Sequence, residues 1–130
     1  MSSSKRASTA PPPPKPPVQF GPSLTIADNA ALTGTNLISI GAYTVIHPRT
    51  KLNSMYAPIT IGSNCIVSER SQIGLQSAPS SAQREGVVIE DGVVVETGAV
   101  VEGRVGEGSL IEVNARIGKC AVIGKVVIVV

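Results

Sequence analysis

A regular spacing of aliphatic residues runs through most of the chain. From Ile26 onward an Ile, Val or Leu recurs every six positions, and a small or β-branched residue lies four positions after it, as in IGAYTV, IGSNCI, VETGAV and IGKCAV. A helix repeats near 3.6 residues and a strand near two, so a period of six predicts short strands separated by turns. Three hexads then close one triangular coil of about 18 residues. The pattern predicts an all-β, single-stranded parallel β-helix of about five coils.

Stacking the coils assigns the aliphatic residues to three interior columns, in which each coil covers the next. The first column is predicted to contain Ile26, Ile40, Ile61, Ile89, Val105 and Ile123. The second contains Leu32, Ile46, Val67, Val95 and Ile111, and the third contains Leu52, Ile73, Val101 and Ile117. The small residues that follow, such as Thr44, Cys65 and Ala99, are expected at the corners, where little space is left.

Composition divides the chain into two parts. Residues 1–23 are rich in Ser and Pro and are predicted to form a disordered arm, either a solvated tail or a polyproline segment that docks onto a partner. Residues 24–130 are predicted to form the β-helix. The polar stretch 76–86 interrupts the hexads, and we predict a loop there that is either a recognition element or a tolerated insertion.

Charge and composition narrow the classes of function. The net charge is +2, and most of it comes from the N-terminal arm, so no surface for tracking nucleic-acid phosphates is predicted. Aromatic residues make up only 2% of the chain, which argues against stacking on single-stranded nucleic acid. Two cysteines and no membrane-length apolar run favour a reduced intracellular compartment without direct membrane insertion.

Candidate chemistry is sparse in this sequence. Acyl transfer on a hexapeptide-repeat prism needs a histidine base, and the γ-class carbonic anhydrase type needs three histidines on zinc, whereas His47 is the single histidine. Glu96 and Glu112 each follow an interior aliphatic residue and are expected to stack on one outer face. We therefore predict no catalytic, cofactor or metal residues, and we interpret Glu96, Glu112 and His47 as candidate partner contacts.

Two stretches carry a resemblance to a known family. IGAYTVIHPRTKL (40–52), followed by PITIGSNCIVSERSQI (58–73), resembles the dynactin subunit 6 family, and SLIEVNARIGKCAVIG (109–124) is similar to a later coil of it. The resemblance implies a left-handed β-helix that is not an enzyme and that serves as a structural subunit of the dynactin pointed-end complex. It also implies pairing with dynactin subunit 5, itself a β-helix, contact with other pointed-end subunits, an indirect link to dynein-driven transport along microtubules, and a location in the cytoplasm and cytoskeleton.

The alternative function is that of a hexapeptide-repeat acyltransferase or a degenerate protein of the γ-class carbonic anhydrase type.

One departure from the resemblance lies at the end of the chain, where the family continues into a further segment and this sequence stops at KVVIVV. We expect a shortened product that lacks a polar cap over its last coil and is poorly soluble alone.

Overall fold

The structure is a computed structural model that describes residues 15–78 and 86–130. Within these residues the chain forms short strands of two to four residues and no helix. The strands are β1 Val18–Phe20, β2 Thr25–Ile26, β3 Ala31–Gly34, β4 Ile38–Ile40, β5 Val45–Ile46, β6 Lys51–Ser54, β7 Ile59–Ile61, β8 Ile66–Val67, β9 Gln72–Ile73, β10 Val87–Ile89, β11 Val94–Val95, β12 Val100–Val101, β13 Arg104–Val105, β14 Leu110–Ile111, β15 Arg116–Ile117, β16 Val122–Ile123 and β17 Ile128–Val129.

The strands form three parallel sheets, one on each side of a triangular prism. Sheet A has the order β1-β4-β7-β10-β13-β16, sheet B has β2-β5-β8-β11-β14-β17, and sheet C has β3-β6-β9-β12-β15. Every third strand therefore returns to the same sheet, so that each coil visits all three sides before the next coil begins. The predicted hexapeptide-repeat, left-handed β-helix of about five coils is confirmed.

The interior is built from aliphatic columns, because alternate side chains of each strand point inward. In sheet A, Ile40, Ile61, Ile89 and Val105 follow one another in register, and they are at most 2% exposed. The second column, in sheet B, contains Ile46, Val67, Val95 and Ile111, and the third, in sheet C, contains Leu52, Ile73, Val101 and Ile117, all at most 2% exposed.

The predicted register of the first coil is wrong. Ile26 is paired with Ile46 in sheet B, and Leu32 is paired with Leu52 in sheet C, so each belongs one column later than predicted. Phe20 takes the first place in the sheet A column, in register with Ile40. The reason is that Leu32 and Ile40 are eight residues apart and not six, so the period does not show to which column Leu32 belongs.

All irregular spacing lies at one corner, where the chain passes from sheet C to sheet A. There the step between interior residues is nine residues from Leu52 to Ile61 but only four from Val101 to Val105, whereas the other two corners keep six throughout. Extra fully buried residues widen the prism beside this corner, namely Ile38, Ile59, Leu75 and Val87. Insertions are tolerated at this corner because the strands on either side keep their register.

The start of the regular structure differs from the predicted boundary at residue 24. Val18–Phe20 forms β1 and pairs with β4, and Ile38 N donates a hydrogen bond to Pro17 O at 3.0 Å. The sequence VQF already alternates apolar and polar residues, as a strand of this fold requires. The rest of the predicted arm up to residue 14, and residues 79–85 of the predicted polar loop, lie outside the described residues.

Candidate interaction surface

The three outer faces of the prism differ in chemistry. The outward residues of sheet B are Thr25, Val45, Ile66, Val94, Leu110 and Ile128. The outward residues of sheet A are Gln19, Ser39, Thr60, Val88, Arg104 and Val122, and those of sheet C are Ala31, Lys51, Gln72, Val100 and Arg116. Sheet B alone presents five consecutive aliphatic side chains. We name Val45, Ile66, Val94, Leu110 and Ile128 the apolar face.

The apolar face is a straight column, because its residues are direct neighbours in the parallel sheet. Val94 lies between Ile66 and Leu110 in register. With strands about 4.8 Å apart, the five residues span about 19 Å. The exposed fraction is 40% for Ile66 and 63% for Ile128, and the other three are half-buried by their neighbours. Contiguous exposed apolar surface of this kind is typical of protein–protein contacts, so the apolar face is a candidate interaction surface.

The sequence-predicted contact residues lie along one edge of the apolar face. His47, Glu96 and Glu112 each follow a strand of sheet B directly. Their backbone amides donate to the next coil, for example from Glu96 N to Ile111 O at 2.8 Å, which fixes the three residues in a single row. Along this row Glu96 and Glu112 are in adjacent coils. His47 is two coils before Glu96, and Ser68 takes the equivalent place in the coil between them. Their role as partner contacts stays a prediction.

The opposite edge of the apolar face carries a residue that sequence reasoning missed. Tyr43 is 63% exposed and adopts a left-handed backbone conformation with φ 60°, at the corner that precedes β5. The apolar face was missed as well. The signal for the apolar face was available: the hexads of sheet B contain two consecutive aliphatic residues, such as Val94 and Val95, of which one must face outward.

The ion pairs of the described residues lie at the corner between sheets A and B, on which Tyr43 also lies, and next to sheet C. Glu90 accepts a hydrogen bond from the Arg104 guanidinium at 2.9 Å, next to sheet A. Glu102 is 4% exposed, pairs with Arg116 at 3.2 Å and also accepts from Gln76 N at 3.1 Å. Glu102 therefore stabilises the entry to the loop that follows residue 75, because its carboxylate accepts a backbone amide there.

The two cysteines have opposite surroundings. Cys65 is fully buried at a corner, where its Sγ lies 3.1 Å from Glu90 O, and Cys120 is exposed. Burial raises the pKa of the Cys65 thiol, and the negative charge of Asp91 adds to that rise, against hydrogen bonds from the backbone of Val93 and Gly92. The Cys65 thiol is thus a packed, weakly nucleophilic group.

Neither a metal-binding cluster nor a membrane-spanning helix is present in the described part of the chain. Residues 15–78 and 86–130 contain no group of three or more His, Cys, Asp or Glu side chains placed to hold a metal ion. The same residues contain no helix that is long and apolar enough to cross a membrane.

Comparison with known proteins gives distant structural likenesses but no matching family. No family model matches the chain, and no curated protein matches it. Among solved structures, it is similar to a Bacillus cereus protein assigned provisionally as an acetyltransferase. That likeness has a TM-score of 0.31 and 11% sequence identity, and it covers 83% of this chain and 74% of the other.

The prediction that the chain is not an enzyme is contradicted by the description of that structure, and we withdraw it. The sequence argument excluded catalysis because only one histidine is present, but a single histidine is enough for a general base. The likeness is too distant to give this chain an activity, a substrate or a partner.

Proposed function

We propose that the chain is a structural interaction subunit of a dynactin-type complex, within the pointed-end assembly that supports dynein-driven transport along microtubules. The observation that carries the proposal is the apolar face of sheet B. Its five aliphatic residues stand in register with no charged residue among them, whereas the other two faces include polar and basic side chains. The resemblance of residues 40–73 and 109–124 to the dynactin subunit 6 family supports the same assignment.

The proposed occupant of the apolar face is a second β-helix of the dynactin subunit 5 type. A flat, straight column of aliphatic side chains is complementary to another flat sheet, because two sheets pack face to face at about 10 Å. Burying the exposed part of one such side chain contributes about 1–2 kcal/mol to association. In this proposal Glu96 and Glu112 border the contact and select a partner whose facing edge is basic.

A pull-down with matched variants tests this function. The tagged chain is used as bait in a eukaryotic cell lysate that contains dynactin, with recovered proteins identified by mass spectrometry. Ile66→Lys places a charge in the middle of the apolar face, and Val88→Lys places the same charge on the outer face of sheet A. We expect dynactin subunits with the unmodified chain and with Val88→Lys. Recovery should fall about 10-fold or more with Ile66→Lys, since an unpaired charge then faces apolar surface.

Two results would contradict the proposal. One is recovery of dynactin subunits that is equal for both variants, which would place the contact elsewhere. The other is the absence of dynactin subunits together with saturable binding of acetyl-coenzyme A that is lost in His47→Ala. That second result would favour the acyltransferase alternative, because His47 is the only histidine that could act as its base.

A further inference from the structure

A cluster of basic side chains lies on sheet C and on the corner between sheets B and C, which is also the edge of the apolar face that carries His47. Arg49, Lys51 and Arg70 are exposed and line one concavity of about 490 Å³ together with Asn29, Ala31, Thr50 and Gln72. We name this concavity the basic groove. Its depth comes from Ala31, whose small side chain leaves space next to the longer Lys51 in the neighbouring strand.

The fold brings these cations together from two coils. Lys51 is the direct neighbour of Gln72 in sheet C, and Arg49 and Arg70 each precede them by two residues, so the two arginines occupy equivalent corner positions in adjacent coils. Among the described residues, none of the three cations has an acidic side chain within ion-pair distance. Three like charges that line one concavity repel one another, so the groove favours an anion.

The backbone at these positions does not favour arginine. Arg49 and Arg70 both adopt left-handed conformations, with φ 63° and 61°, and the equivalent corner positions of the next two coils are Gly98 and Asn114. Glycine and asparagine suit this conformation, whereas a long side chain costs about 1 kcal/mol.

A second concavity continues the basic groove along sheet C. It has a volume of about 310 Å³, shares Ala31, Lys51 and Gln72 with the first, and adds Thr33, Asn53 and Gln76. From Lys51 to Asn53 the strand rises about 7 Å. The combined surface is cationic at one end and lined by amide side chains at the other. Amides donate to and accept from a peptide backbone, so this half suits an extended chain better than an isolated phosphate.

We propose that the basic groove and its amide-lined continuation bind an acidic peptide segment of a partner protein. The segment lies extended on sheet C. Arg49 and Arg70 each donate a pair of hydrogen bonds to one of its carboxylates, and Lys51 supplies a third positive charge. The groove opens on sheet C and the apolar face lies on sheet B, so this peptide and the β-helix partner would contact neighbouring sides of the prism that share the corner of Arg49 and Arg70.

Fluorescence polarisation tests the groove with the full chain. The probe is a fluorescein-labelled peptide that contains four consecutive Asp and Glu residues, and the control probe replaces them with Asn and Gln. The test variant is Arg49→Asn/Arg70→Asn, because asparagine keeps the left-handed turns. The charge-matched control is Lys119→Gln/Lys125→Gln, which removes two cations from the last coils. Far-UV circular dichroism verifies that both variants fold.

The acidic peptide is expected to bind at least about 10-fold more tightly than the amide peptide, with an affinity that falls as salt is raised. The Arg49→Asn/Arg70→Asn variant should lose about 10-fold or more, and the lysine control should lose less than about 2-fold. Equal losses in the two variants would overturn the proposal. So would binding of inorganic phosphate or of phosphatidylserine vesicles by the arginines without binding of the acidic peptide.

Discussion

Truncation of a core residue in the middle of the prism should cost far more stability than the same truncation in the last coil. Ile89 is fully buried, and its strand is paired on both sides, with Ile61 in one direction and Val105 in the other. Ile89→Ala removes three carbon atoms, which lowers the transfer free energy by about 2–2.5 kcal/mol. The cavity left behind adds about 1 kcal/mol or more, so the expected loss is about 3–4 kcal/mol.

Ile123 provides the matched control, because it belongs to the same sheet A column. It is only partly buried, and its strand β16 pairs with β13 alone. Ile123→Ala is expected to cost about 1–1.5 kcal/mol, since part of the side chain is already in contact with water and little cavity forms. Urea unfolding followed by far-UV circular dichroism measures both losses. If the two variants lost equal stability, the account of a column that is buried coil by coil would be refuted.

Three further predictions follow from the described contacts. In the native protein, one thiol per chain should react rapidly with a disulfide reagent, Cys120, and Cys65 should react only on unfolding. Folding raises the pKa of Cys65, so the buried thiol contributes fully to the free energy of unfolding below the ordinary pKa of 9.0. That contribution is lost as the pH rises above 9.0, which urea unfolding at a series of pH values measures. Gly103→Ala should lower the urea midpoint by the equivalent of about 1–3 kcal/mol, since its Cβ would lie 2.5 Å from Ala121 O.

The regular part of the fold could be predicted from sequence because the period itself encodes it. From Ile40 onward, each predicted interior residue lies in the predicted column, and corner residues such as Thr44 and Ala99 are buried. The period is informative because an aliphatic residue that faces inward must contact the equivalent residue one coil away. The period of the sequence therefore identifies the buried positions directly.

The register of the first coil could not be predicted in the same way. A period carries no information across an insertion, and the step from Leu32 to Ile40 contains two extra residues. The residues that widen the prism were missed for a related reason. Ile38 and Ile59 lie two positions before the column residues of β4 and β7, where the hexapeptide pattern has no aliphatic requirement, yet both are fully buried.

The candidate surfaces depend on neighbours that are distant in sequence. Glu96 and Glu112 were predicted on one face because they follow interior residues of successive coils, and the structure places them in one row. Arg49 and Arg70 are 21 positions apart, and the predicted column that places Ile46 next to Val67 also makes them neighbours. The sequence pattern did not show that their side chains line one concavity with Ala31, because the first coil was out of register.

The most direct test of the proposed function is site-specific photo-crosslinking in cells. A photoreactive phenylalanine analogue is introduced at Leu110 on the apolar face, and at Thr60 on the outer face of sheet A as the matched position. The account predicts a crosslink from Leu110 to a β-helix subunit of dynactin and none from Thr60. Crosslinks from Leu110 only to further copies of the chain, or to dynactin from Thr60 alone, would contradict it.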